Sequence, residues 1–69
     1  MEHAAIENSF TYHAPKGNQQ ERYVKLRDTA KALAYLIKET VPTCREQSLA
    51  ITKLEESIMW ANKGIACNE

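Results

Sequence analysis

Neither sign of charge is in excess in this sequence: nine lysines and arginines balance nine aspartates and glutamates, for a formal net charge of zero. A nucleic-acid footprint or an electrostatic membrane anchor needs a basic surplus, so bulk charge draws the chain to neither DNA nor a lipid surface. Long apolar runs are missing as well. No stretch approaches the ~20 residues of a membrane span, and the opening Met1-Glu2-His3-Ala4 lacks the basic start and apolar stretch of a signal peptide.

Cysteine is scarce, with Cys44 and Cys67 the only two. They bracket a long expected helix, and at ~1.5 Å per residue they would stand roughly 35 Å apart. A bridge needs Cα atoms within about 7 Å, so the expectation is a reduced chain of cytosolic type. The two histidines, His3 and His13, add no paired ligand spacing, and no metal or cofactor is expected. There is no Gly-rich phosphate loop and no nucleophile motif. Glu55 and Glu56 are adjacent, but neighbouring helix residues point about 100° apart and do not share a site. The chain is therefore expected not to be an enzyme. An ion pair of Glu56 with Lys53 or Lys63 is the plainer role for that carboxylate, of small value if exposed.

Sixty-nine residues form one domain at most, and a chain of this size buries only about 60% of the surface it exposes when unfolded. Disulfides, metals and partner subunits are the usual supplements. With the first two disfavoured, self-association remains.

Two long periodic segments fill most of the chain, behind an N-terminal arm at residues 1–17 that ends in Gly17. The first helix is predicted over 19–41, with Asn18 as cap and Glu21 three residues later. Its residues Tyr23, Leu26, Ala30, Leu33, Ile37 and Val41 recur at steps of three and four and fall within an arc of about 80°, a seam for another helix. Pro42 disfavours helical geometry at Val41 and ends the segment. The second helix is predicted over 44–66, opened by the Thr43-Cys44-Arg45-Glu46 capping-box pattern. Ile51, Leu54, Ile58, Ala61 and Ile65 make its seam. Two long helices with so short a connection form an antiparallel hairpin. The expected fold is thus all-α: a two-helix hairpin with a short arm, in one domain over residues 1–69, assembled into a homo-oligomer.

Apolar residues outside the seams support association. Leu49, Trp60 and Cys67 project roughly 120–160° from the second seam, and Tyr35, Leu36 and Met59 also lie off it. Exposed patches of this kind mark interfaces, which makes Trp60, Leu49 and Met59 the candidate contact residues. The alternative is an N-terminal arm folded back over Trp60.

Two groups of residues have the chemistry of a ligand site. Arg27, Lys31 and Lys38 fall within ~40° of one another on the first helix. They read either as a solvated face whose stems cover apolar surface or as a phosphate clamp, in which Arg forks onto oxygens and Lys supplies a point charge. Lys25 points elsewhere, towards a neighbour's arm in an oligomer. Phe10-Thr11-Tyr12-His13 reads either as a hydrophobic staple ahead of the helix or as a stacking platform for bases, worth about 1–3 kcal/mol each.

Tyr12-His13-Ala14-Pro15, Glu21-Arg22-Tyr23 with Leu26-Arg27, and above all the run Ser48-Leu49-Ala50-Ile51-Thr52-Lys53-Leu54-Glu55-Glu56-Ser57-Ile58-Met59-Trp60-Ala61-Asn62 closely resemble one phage family. It is the hairpin domain shared by anti-CBASS protein 2 and Thoeris anti-defence protein 1, and the resemblance spans about residues 9–68. It implies a sponge: a protein that sequesters cyclic oligonucleotide immune messengers in the host bacterial cytoplasm without degrading them. The chain ends soon after the second helix and so matches the anti-CBASS type, which implies a compact hexamer and cyclic dinucleotides such as 3′,3′-cyclic GMP–AMP as ligand. A cyclic ADP-ribose-type signal is the neighbouring possibility, and a helical protein–protein module without nucleotide the unrelated one. In the anti-CBASS type an N-terminal tyrosine stacks on the bases and a first-helix basic residue meets the phosphates, between protomers. These roles carry over to Tyr12 and to Arg27 or Lys25. Thr29 lies within a turn of either, and Phe10, His13 and Lys31 complete the candidate ligand set. A basic residue near the chain's end is associated with a second, cyclic-trinucleotide site. Cys67 stands there in this sequence, with Lys63 and Arg45 as substitutes.

Overall fold

The computed structural model describes residues 3–69. Three α-helices follow one another: α1 (His3–Phe10), α2 (Gln19–Thr40) and α3 (Arg45–Asn68). Packing between elements is dominated by α2 against α3. Their directions follow from the contacts at each end. Gln47 near the start of α3 reaches the C-terminal end of α2, and Glu69 just past α3 reaches Arg22 in the first turns of α2. The pair is an antiparallel hairpin, as the seams require.

The chain measures 45 × 28 × 13 Å, with a radius of gyration of 15.2 Å. A compact domain of this length would have about 11 Å, and 13 Å is little more than the ~10–12 Å diameter of one helix. The molecule is therefore a single layer of helices, whereas a stable core ordinarily needs two packed layers. Its burial agrees. Among the described residues no hydrophobic side chain is fully buried, and only Gln19 and Gln47 are buried, at 4% and 6% exposure.

Gln47 closes the hairpin at its turn, and Gln19 fastens the turn that feeds α2. The Gln47 amide donates to the carbonyls of Lys38 (3.3 Å) and Val41 (2.9 Å). It thereby satisfies groups that a helix C-terminus leaves without intrahelical partners. At the other end the Gln19 side-chain oxygen accepts from the Lys16 backbone N–H at 3.0 Å, and the Gln19 N–H donates to Lys16 O at 2.9 Å. The turn feeding α2 passes through Gly17 at φ 53°, a left-handed conformation that would strain any other side chain.

The structure differs from the sequence-based expectation in five respects. The arm is not extended throughout: His3–Phe10 is helical, giving three helices among the described residues. Ala4, Ala5 and Glu7 favour helix, a His3–Glu7 contact of 3.1 Å spans one turn, and two side chains cap the end. Thr11 Oγ1 donates to Glu7 O, and His13 Nε2 donates to Asn8 O at 2.8 Å. A staple by the arm's aromatics is ruled out, since Phe10 and Tyr12 are 85% and 84% exposed.

Neither expected cap makes a side-chain cap bond. Asn18 sits at the N-cap of α2 without one, and Cys44 rather than Thr43 holds that place for α3. The helices span 19–40 and 45–68 instead of 19–41 and 44–66. Val41 is extended (φ −103°, ψ 131°), as the following Pro42 dictates. Finally, Leu33 turns outward at 44% exposure, and the half-buried Ala34 takes its place in the seam. Ala30 and Ala34, one turn apart, leave room for α3 that a leucine would fill.

Gln47→Ala should lower stability by about 1–3 kcal/mol, the loss expected when buried acceptors go unpaired. Gln47→Glu should cost more, because a carboxylate cannot donate to two carbonyls. Thermal melts followed by circular dichroism check both; melting points equal to wild type would remove Gln47 from its place at the turn.

Candidate functional site

Two grooves run along the edges of the α2–α3 seam. The first, about 460 Å³, is lined by Arg22, Lys25, Leu26, Thr29 and Ile65. The second, about 370 Å³, is lined by Arg27, Ala30, Lys31, Ala34, Ile51, Leu54, Glu55 and Ile58. Each combines an apolar floor with basic walls. The cause is helical arithmetic: at ~100° per residue, Lys25 and Thr29 fall on one flank of the seam and Arg27 and Lys31 on the other. Of the sequence-predicted basic residues, Arg27 and Lys31 are brought together in the second groove, Lys25 stands apart from them in the first beside Arg22, and Lys38 lines neither. Glu55 stands among the second pair and partly offsets its charge.

The aromatic candidates line neither groove. Phe10 at the end of α1 and Tyr12 in the segment between α1 and α2 lie almost fully exposed. His13 is half-buried, and its bond to Asn8 O gives it a structural role at the end of α1. Because a carbonyl only accepts, that bond assigns the ring proton to Nε2.

Trp60, Met59 and Leu49 remain 58%, 56% and 44% exposed. The folded-back arm does approach Trp60. A third groove, about 320 Å³, lies between α1 and α3 and is lined by Ala5, Asn8, Ser9, Trp60, Lys63, Gly64, Cys67 and Asn68. The Asn8 amide donates to Cys67 O at 3.1 Å and fastens α1 there. Even so, more than half of the indole surface stays open, so the arm does not cover it. Both cysteines are free thiols. Lys53 pairs with Glu56 at 3.3 Å on the exposed face, the minor role expected for that carboxylate.

One residue of the first groove escaped the reading of charge by helix face. Arg22 points both terminal guanidinium nitrogens at the Glu69 carboxylate, a forked pair with Nη1 at 2.9 Å. Lys16 Nζ reaches the Glu69 backbone oxygen at 3.4 Å. The partners are 47 positions apart in sequence, and only the antiparallel return of α3 joins them. The hydrogen bond from Arg22, with its positive charge, holds the Glu69 carboxyl below the ordinary carboxylate range and keeps the guanidinium more firmly protonated. A carboxyl so lowered stabilises the fold above its unfolded value of about 4.3, and that contribution disappears as pH falls through the lower folded value. A carbon-detected NMR titration should give Glu69 a midpoint below the ordinary range in wild type and an ordinary one in Arg22→Gln. Equal midpoints would contradict the pairing.

No helix among the described residues is long and apolar enough to cross a membrane. The family profile described as Acb2/Tad1, hairpin domain, matches residues 2–66. No curated protein and no solved structure matches the chain. The profile covers α1, the loop with Tyr12, and nearly all of the α2–α3 hairpin; it takes in most of the span of the sequence resemblance, residues 9–68, and adds α1 at its start. The chain belongs to the Acb2/Tad1 hairpin-domain family of anti-CBASS and Thoeris anti-defence proteins.

Proposed function

We propose that the protein is a sponge for a cyclic dinucleotide immune messenger, holding it uncleaved in pockets between protomers of a homo-oligomer in the host bacterial cytoplasm. CBASS effectors then go without their activating ligand. The observation that carries this reading is the division of the candidate site over two edges of one flat hairpin. Lys25 and Thr29 flank one groove, Arg27 and Lys31 the other, and Tyr12 stands in solvent beside neither. A small ligand that uses a stacking tyrosine together with both basic edges has to sit between copies of the chain. The single-layer fold supports association independently, because its apolar faces, with Trp60, Met59 and Leu49, lack a second layer to cover them. Hexameric assembly is the form that family membership favours.

In this arrangement Tyr12 stacks on a base, Arg27 and Lys25 from different protomers meet the phosphates, and Thr29 offers a hydroxyl. Stacking plus charge-assisted bonds suits nanomolar capture, about −12 kcal/mol. Nothing in the reading requires bond cleavage.

Isothermal titration with 3′,3′-cyclic GMP–AMP should give saturable heat at micromolar protein, with intact nucleotide recovered after denaturation. Tyr12→Ala should remove most of the affinity. Trp60→Lys should abolish both assembly, read by light scattering, and capture, with Tyr12 and Arg27 unchanged. Absence of heat with wild type sinks the dinucleotide reading; tight binding by a monomeric Trp60 variant sinks the interprotomer pocket. A cyclic ADP-ribose-type ligand that displaces the dinucleotide would move the assignment towards the Thoeris signal.

A further inference from the structure

The first groove already contains an anion contact of its own. Arg22 is one of its walls, and the guanidinium is forked onto Glu69, one helical turn beyond the groove residue Ile65. The pair is only partly open to solvent, with side-chain exposures of 37% and 43%. Lys16 binds the Glu69 backbone oxygen from the far side, and Lys25 stands in the same groove without a described hydrogen bond or ion pair. The arginine is also not saturated. Its Nε is shut off from solvent and has no partner, although both terminal nitrogens are engaged. A guanidinium has five donors in a rigid fork that suits carboxylate and phosphate alike. The carboxylate therefore engages a wall residue equally suited to phosphate, and a dianionic phosphate would bring more charge to the same fork.

We propose that Glu69 is a built-in competitor for this groove: a phosphate-bearing ligand binds Arg22 and Lys25 by displacing the Glu69 side chain, which raises the threshold against weak monoanions. The proposal deepens the sponge reading by adding Arg22 as a phosphate-contacting residue and Glu69 as the group that sets selectivity. A competitor of this kind weakens apparent affinity by the fraction of molecules in which the contact is open. For a partly exposed forked pair that amounts to about three- to tenfold.

The test uses pyrophosphate as probe, so that it does not depend on which nucleotide the protein captures. In an NMR titration of the full chain, Arg22 Nε–H should shift on pyrophosphate addition, and Glu69→Gln should saturate at about three- to tenfold lower concentration than wild type. Within wild type itself, saturating pyrophosphate should return the Glu69 carboxyl resonance and its titration midpoint to those of an unpaired glutamate. This second readout needs no variant and is immune to any change in folding. Equal saturation in both proteins, or a Glu69 carboxyl unaffected by saturating pyrophosphate, overturns the proposal. Failure of the sponge reading would look different: no heat with cyclic GMP–AMP, while pyrophosphate still moves Arg22 and Glu69.

Discussion

A hydrogen-bonded amide, rather than an apolar side chain, holds the interior of this hairpin at its turn. Gln47 lies buried against the end of α2 and donates to two of its carbonyls. Everything downstream depends on that fastening, because it fixes where α3 begins and therefore which of its faces meets α2. A helix end left without partners would be costly in a site that water reaches poorly. Here one side chain from the next helix supplies the donors, and the connection stays short. Gln19 does comparable service at the open end, where it ties the incoming turn at Lys16 to the first residue of α2.

The second constraint is thickness. One layer of helices has two open sides, and no arrangement of 69 residues in that layer can enclose a leucine. The half-buried seam of Leu26, Ala30, Ile37, Ile51, Leu54 and Ile58 is as much core as the geometry permits. Hydrophobic burial at about 25 cal/mol per Å² then falls short of what a layered domain obtains, and the exposed Trp60, Met59 and Leu36 are the residue left over. The same flatness that weakens the isolated chain keeps both grooves open along the seam. Low stability and open grooves are two consequences of one shape.

At the open end of the hairpin, three separate parts of the chain meet within a small space. The turn before α2 contributes Lys16, α2 contributes Arg22, and the end of α3 contributes Glu69. The α1 helix is fastened nearby through Asn8 to Cys67. Charges that are dispersed along the sequence are thereby concentrated beside the larger groove, although the chain as a whole is neutral. Local clustering, and not bulk charge, is what an anion would meet there.

Much of the fold was legible in the residues alone. Apolar steps of three and four specify two helices of matching length, Pro42 ends the first, and a connection of a few residues forces the second to return antiparallel. The exposed Trp60 and Leu49 were legible for the same reason, since periodicity places them off the seam. The short α1 was not, because eight residues make little more than two turns, too few repeats for a period to be read, and their caps come from Thr11 and His13, side chains that also suit a loop. Leu33 and Ala34 flank the seam almost symmetrically, and only the approach of α3 decides which of them faces it. The site divides along the same line. Sequence singled out the basic and aromatic candidates by type, and family resemblance supplied the roles expected of them. That Lys25 and Arg27 leave α2 on different sides follows from its period; that Arg22 is held by a glutamate 47 positions away was settled only by tertiary structure. Local periodicity determines which way a side chain points from its own helix; which partner waits there depends on the return path of the chain.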